Sequence, residues 1–467
     1  MENHIREYVR SLASCNGAYR GIVQIPVHLG LTLSLIRAGK IDAEAIVAIL
    51  FWILSVPRLF TGILEVSGGF LSIKLGNQGV FKLLPYSIIV RALSLFLIML
   101  GCLQSTPDLV LFFGFIGVMT GEIGRSLFSG QSKDAYNQSC SYISHQSTLL
   151  ADELIAKCEI LDRDYLHRYR IYFSSIASLL VTYSFYLNNS FSGFLLATPF
   201  FLAILIHLKA FKSSICWKKW ANQNLVSRNS EFNGNPLGQL KAFLWSFDWM
   251  WAVGAGGIIY ILVYSINFSA ITLSDVPSAT ASGTLQHWHV IFVTFLACIP
   301  PLAVWLSNLI WKKNENKKLH KLHEGSLGNL LLLAWFLLVT TFINYKPNDP
   351  ALLVIFCFSL AGLFGPLQTW IGWRRIPLLN FISNHSQFSH FFGSSHVFYY
   401  SLIYGGIESS IAFAGIYLKI SEETSPANFI FGVGSISVLL IFTWQIRRNL
   451  AKSSANRSYS ISNSTGN

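Results

Sequence analysis

Charge is scarce in this chain, and the scarcity excludes most soluble architectures. Asp, Glu, Lys and Arg make up 12% of its 467 residues, about half the share that ordinary soluble domains carry. A soluble chain of this length divides into domains that each need a polar surface, and too few charges are present to coat them. Acidic residues are the fewest, 22 against 34 basic ones. The basic residues are scattered over many segments rather than gathered on one face, so the net charge of +12 does not call for a nucleic-acid partner. Cysteine is sparse as well, with seven residues and no disulfide spacing. Cys102, Cys298 and Cys357 fall in apolar runs; Cys15, Cys140, Cys158 and Cys216 fall in polar segments where thiols stay reduced. A cleavable leader is not expected either, because "MENHIREYVRSLASCNGAYR" has no apolar core followed by small residues.

Long apolar blocks take the place of charge. Their length, about 17 to 25 residues, is what a helix needs to cross a hydrocarbon layer of about 30 Å. Twelve runs qualify: 18–36, 44–72, 83–103, 109–127, 171–187, 191–211, 243–268, 288–311, 327–344, 351–373, 396–418 and 428–446. The expected fold class is all-α, a polytopic membrane protein of twelve transmembrane helices in two six-helix bundles. The bundles are 1–211 and 243–446, with a hydrophilic linker at 212–242 and a disordered tail at 447–467. Gln24, Pro26 and His28 make the first run the weakest, and point it toward other helices or water rather than lipid. Pro300 and Pro301 should kink the eighth.

With the N-terminus inside, only six of the 34 Lys and Arg fall outside the inner segments and span ends: Arg37, Lys40, Lys346 and Lys419 in outer loops, and Arg58 and Arg91 within spans. This asymmetry predicts cytoplasmic termini and linker in a multi-pass plasma-membrane protein. Trp217, Trp220, Trp311, Trp370 and Trp373, near span ends, read as interface anchors.

Between the second and third runs lies "LEVSGGFLSIKLGNQGVFKLL", residues 64–84. Its glycines allow a tight turn between antiparallel helices, and Lys74 and Lys82 mark it as cytoplasmic. Gly69, Leu71, Lys74 and Gly76 match the loop pattern G-x-L-a-D-r-x-G-r-k of the major facilitator superfamily, which the chain thus resembles. "LEVSGG" and "GEIGRSLFSGQSKDAY" are similar to its drug:proton antiporter-like branch. Ile73 stands where that pattern has Asp, and Asn77 and Gln78 where it has a basic pair, so the usual charge lock is missing or rebuilt. The resemblance implies two bundles rocking about a central site, with Gly69, Lys74 and Gly76 in a gating loop.

Ionisable side chains within spans are costly unless paired or wet. Glu65 and Arg91 should lie roughly 12 Å from the cytoplasmic face on adjacent helices, with Glu122 at a similar level and Arg125 one turn on. They read either as a proton relay and substrate site or as a packing network. Arg58 and Glu408, at about 22 and 18 Å, are expected to face the cavity, separately or as a pair across the seam. His287 and His289, and His385, His390 and His396, are spaced wrongly for ligands on one helix face, so neither metal nor cofactor is expected.

The function expected is secondary active transport of a small organic solute by alternating access, as proton-coupled efflux by a monomer in the lipid bilayer. Uptake by proton symport is the alternative. A polytopic membrane transferase would need an acid/base set in a large soluble loop, which the short polar segments lack, so an enzyme is not expected. A lipid-linked glycan flippase of the multidrug/oligosaccharide class would not carry the glycine turn.

Overall fold

The computed structural model describes residues 2–39, 79–128, 131–146, 151–187, 189–225, 270–313, 413–418 and 426–464, with scattered positions between them. The described residues are helices and the turns that join them, without strand. In chain order the helices are α1 (Glu2–Val23), α2 (Ile25–Arg37), α3 (Gly79–Leu103), α4 (Pro107–Phe128), α5 (Gln131–Gln146), α6 (Ala151–Leu187), α7 (Ser192–Asn224), α8 (Val276–Ala281), α9 (His287–Lys313) and α10 (Pro426–Ser464).

α3, α4, α7 and His287–Ser307 of α9 are long and apolar enough to cross a membrane. They coincide with the runs predicted at 83–103, 109–127, 191–211 and 288–311. Their outward faces carry Tyr86, Phe112, Phe194, Leu205 and Ile291, each more than half exposed. Water penalises such a surface and hydrocarbon does not. α3 packs against α4 and α7, α1 against α6 and α7, and α9 against α6.

Several helices outrun the apolar stretches. α6 has 37 residues and α7 has 33, about 55 and 50 Å of helix against a core of about 30 Å. Their polar extensions join the start of α1 and all of α5 in a second core, which includes Ile5, Val9, Phe81, Tyr136, Cys140, Leu154, Cys158 and Trp217. This tier gathers two features that were read differently from sequence. Residues 212–224, read as linker, continue α7, because Trp217 and Ala221 on that turn are fully buried. Trp217 is not an interface anchor: its Nε1 donates to Ser139 Oγ at 3.0 Å, and its ring stacks on Tyr8 and meets the edge of Phe81. Burial, reinforced by Asp162 and Glu159, pushes the Tyr136 hydroxyl of the same tier above its usual pKa. At the other end of the chain α10 runs from Pro426 to Ser464. From 435 to 465 there is neither glycine nor proline to stop it.

The first run is also not one helix. α1 begins at Glu2, well before residue 18, and the chain breaks at Gln24 (φ −81°, ψ −119°) before α2 resumes with Pro26 in its first turn.

α9 runs continuously through Pro300 and Pro301. Pro301 has no N–H for the carbonyl four residues back, that of Ala297. Ser174 of α6 donates its hydroxyl to that carbonyl at 2.8 Å, so a polar group set loose in an apolar interior is satisfied from the neighbouring helix. Ser174→Ala should therefore cost about 1–3 kcal/mol. Pro301→Ala, which restores the intrahelical donor, should remove most of that cost in the double variant. Thermal midpoints of the four proteins in detergent measure the coupling, and strictly additive losses would refute it.

Candidate functional site

Two polar constellations lie inside the bundle. The first is built on α3 and α4. Gly114, Gly117, Gly121 and Gly124 repeat at three- and four-residue intervals and form one face of α4. α3 lies so close there that a Cβ on Gly124 would come within 2.5 Å of Arg91 Cγ. Ser94 Oγ donates across the contact to Gly117 O at 2.7 Å.

Arg91 is 2% exposed. Its Nη2 donates to Asn16 Oδ1 at 3.0 Å, and its guanidinium lies 4.1 Å from the Tyr19 ring and 4.7 Å from the Phe128 ring. Nε and Nη1 are buried with no partner among the described residues. Glu122, also buried, pairs with Arg125 one turn on, Oε2 to Nη1 at 3.3 Å. The sequence-predicted residues Arg91, Glu122 and Arg125 thus occupy one interface. Glu65, Arg58, Glu408, Gly69, Lys74 and Gly76 lie outside the described residues, as do His385, His390 and His396.

Asn16, Tyr19, Ser94 and His207 were not singled out from sequence. His207 is fully buried; its Nδ1 donates to Ala203 O at 2.7 Å, its ring meets the edge of Tyr19, and its Nε2 has no partner among the described residues.

The second constellation surrounds the helix break. Arg170 of α6, 4% exposed, donates through both Nε and Nη2 to Gln24 Oε1, at 3.1 and 3.0 Å. His28 Nδ1 donates to Gln24 O at 2.8 Å. A side chain of α2 and a cation of α6 thus converge on the break, one on the Gln24 carbonyl and the other on its side chain. From Arg170 a buried polar stripe continues along α6 at four-residue spacing through Ser174, Ser178 and Thr182. Gln24 at the break and His28 and Thr32 on α2 have the same spacing. Ser178 Oγ and Thr32 Oγ1 are buried without partners among the described residues. Sequence reading counted Arg170 as one more basic residue at the polar side. The signal that could have found it was Gln24 beside Pro26, a side chain needing a polar partner where the helix must open.

The histidines of "HWH" cap α9. His289 Nδ1 accepts the Gln286 backbone N–H at 3.1 Å, and His287 Nε2 lies 2.9 Å from the Tyr186 hydroxyl of α6. At the opposite end of the same seam Trp305 Nε1 donates to Asp164 Oδ1 at 3.3 Å.

No protein-family model and no curated protein sequence matches the chain. Solved structures do. The nucleoside transporter NupG has a TM-score of 0.56 at 12% identity, over 95% of this chain and 98% of that one. A bacterial homologue of the human drug peptide transporters PepT1 and PepT2 scores 0.61 at 11% identity, over 97% and 99%. The human organic anion transporter MFSD10 (TETRAN) scores 0.54 at 10% identity, over 95% and 99%. Through nearly its whole length, the chain shares the all-helical fold of these three transporters.

Proposed function

We propose that the chain is a secondary active transporter of the major facilitator superfamily that exports a small organic solute in exchange for protons. The observation that carries this reading is the first span broken at Gln24, with Arg170 pinned to the break inside the bundle. Transport sites are commonly built where a membrane helix is interrupted, because the opened backbone and a buried charge can bind a polar solute away from lipid. The shared fold supports the class of protein. "LEVSGG" and "GEIGRSLFSGQSKDAY" support the antiporter branch and the outward direction. In this reading Glu65 or Glu122 carries the proton, each near an arginine (Arg91 or Arg125), Arg58 and Glu408 face the cavity, and Gly69, Lys74 and Gly76 form the gating turn.

The relatives by fold transport nucleosides, peptides and organic anions, so the test is a panel of those three classes. Protein in sealed vesicles with an imposed pH gradient should drive at least one solute against its own gradient, in the direction opposite to proton flow. Movement in the same direction as protons would reassign the chain to symport. Equilibration without accumulation for every solute would reject coupled transport.

The twelve-span topology, with both termini and residues 212–242 in the cytoplasm, rests on the Lys/Arg asymmetry. A cysteine placed at Asn348 should react with a membrane-impermeant maleimide on intact cells, while cysteines placed between 226 and 242 should not. Labelling of that linker from outside overturns the topology.

A further inference from the structure

Cys140 and Cys158 lie on different helices, α5 and α6, with their sulfurs 3.7 Å apart. Both are buried in the polar tier, beyond the apolar spans. A cavity opens beside them, lined by both thiols together with Ile5, Arg6, Lys157 and others. Buried thiols are ordinarily inert because reagents cannot reach them and the thiolate is unfavourable. Here the two sulfurs already lie 3.7 Å apart across two helices, so once an oxidant reaches one of them the other is placed to close the bond.

We propose that Cys140 and Cys158 are a modification site, a dithiol that closes to a disulfide when the protein meets a disulfide oxidant. One thiol loses its proton and attacks the oxidant's S–S bond, giving a mixed disulfide and releasing one thiol. The second cysteine, deprotonated in turn, attacks its partner's sulfur and expels the other half of the oxidant as a second thiol. The two cysteines lose two electrons and two protons, and the oxidant's disulfide is reduced to two thiols. The bond staples α5 to α6 and closes a short loop of chain, which limits the unfolded state.

The full-length protein is treated in detergent with oxidised glutathione, alkylated and cut with trypsin. Cleavage after Lys133, Lys157 and Arg163 places the two cysteines on separate peptides, 134–157 and 158–163. The expected product is these peptides joined, two hydrogens lighter than their sum, with a thermal midpoint raised by several degrees and restored by dithiothreitol. Cys158→Ser and Cys140→Ser should each lose both effects. Cys216, exposed on α7, reports in the same digest that the oxidant was active. Glutathione on Cys216 without the joined peptides, or glutathione held on Cys140 or Cys158 without closure, overturns the proposal. So does a joined product that leaves the thermal midpoint unchanged, since a bond between folded α5 and α6 must stabilise them.

Discussion

Glu122→Gln is expected to abolish accumulation of solute against its gradient while leaving solute exchange across the vesicle membrane. Glu122 is buried, and its carboxylate meets Arg125 at 3.3 Å. On the helix packed against it Arg91 has two guanidinium nitrogens without partners among the described residues. A buried acid with cations on its own and the neighbouring helix can exchange a proton in step with transport if a conformational change alters that company. Glutamine can still accept from Arg125, so the helix contact survives; it cannot take up or release a proton, so coupling does not. Glu65→Gln is the parallel test for the second acid. Thermal midpoints near the parent's would show that lost accumulation is not lost folding. If both variants accumulate solute as the parent does, the cluster serves packing alone.

Gly117→Ala should be among the most damaging single-methyl substitutions in the chain. A Cβ there would lie 2.6 Å from Ile98 Cγ1 and 2.9 Å from the Ile98 backbone nitrogen. The side chain could rotate away, but the backbone of α3 could not. α3 must move from α4, which strains the Ser94–Gly117 hydrogen bond and the shelf on which Arg91 rests. Overpacking of this kind costs about 1–3 kcal/mol, occasionally more. Gly432→Ala on α10 is the control: among the described residues nothing lies within 4 Å of the added carbon, and alanine favours helix by about 1 kcal/mol. Thermal midpoints in detergent should fall by several degrees for the first and hold or rise for the second. Equal behaviour of the two would show that the α3–α4 approach is not tight.

The four apolar helices recognised in the structure were legible because hydrophobic length is a local property. Any stretch that cannot face water must be buried or face lipid, whatever its neighbours do. Arg91, Glu122 and Arg125 were legible for the same reason, since a charge in an apolar run is conspicuous and costly. Helix ends were not legible. Trp217 looked like an interfacial aromatic and Lys212 like the start of a linker, because nothing local says that Ser139, Tyr8 and Phe81 will close around that turn.

The partners of the polar groups were decided only by tertiary structure. The sequence by itself determined that Gln24, Pro26 and His28 would turn the first run away from lipid and that Pro301 would leave a carbonyl without its donor, since polarity and a missing N–H are properties of the residues themselves. That Arg170 meets Gln24, and Ser174 meets the Ala297 carbonyl, depends on α6 lying against α2 and α9. Those contacts join residues more than 100 positions apart, and a serine or arginine on a helix carries no local mark of which neighbour it will satisfy. The membrane interior supplies the reason they must be satisfied: with no water to accept or donate, each buried polar group selects the packing that gives it a partner.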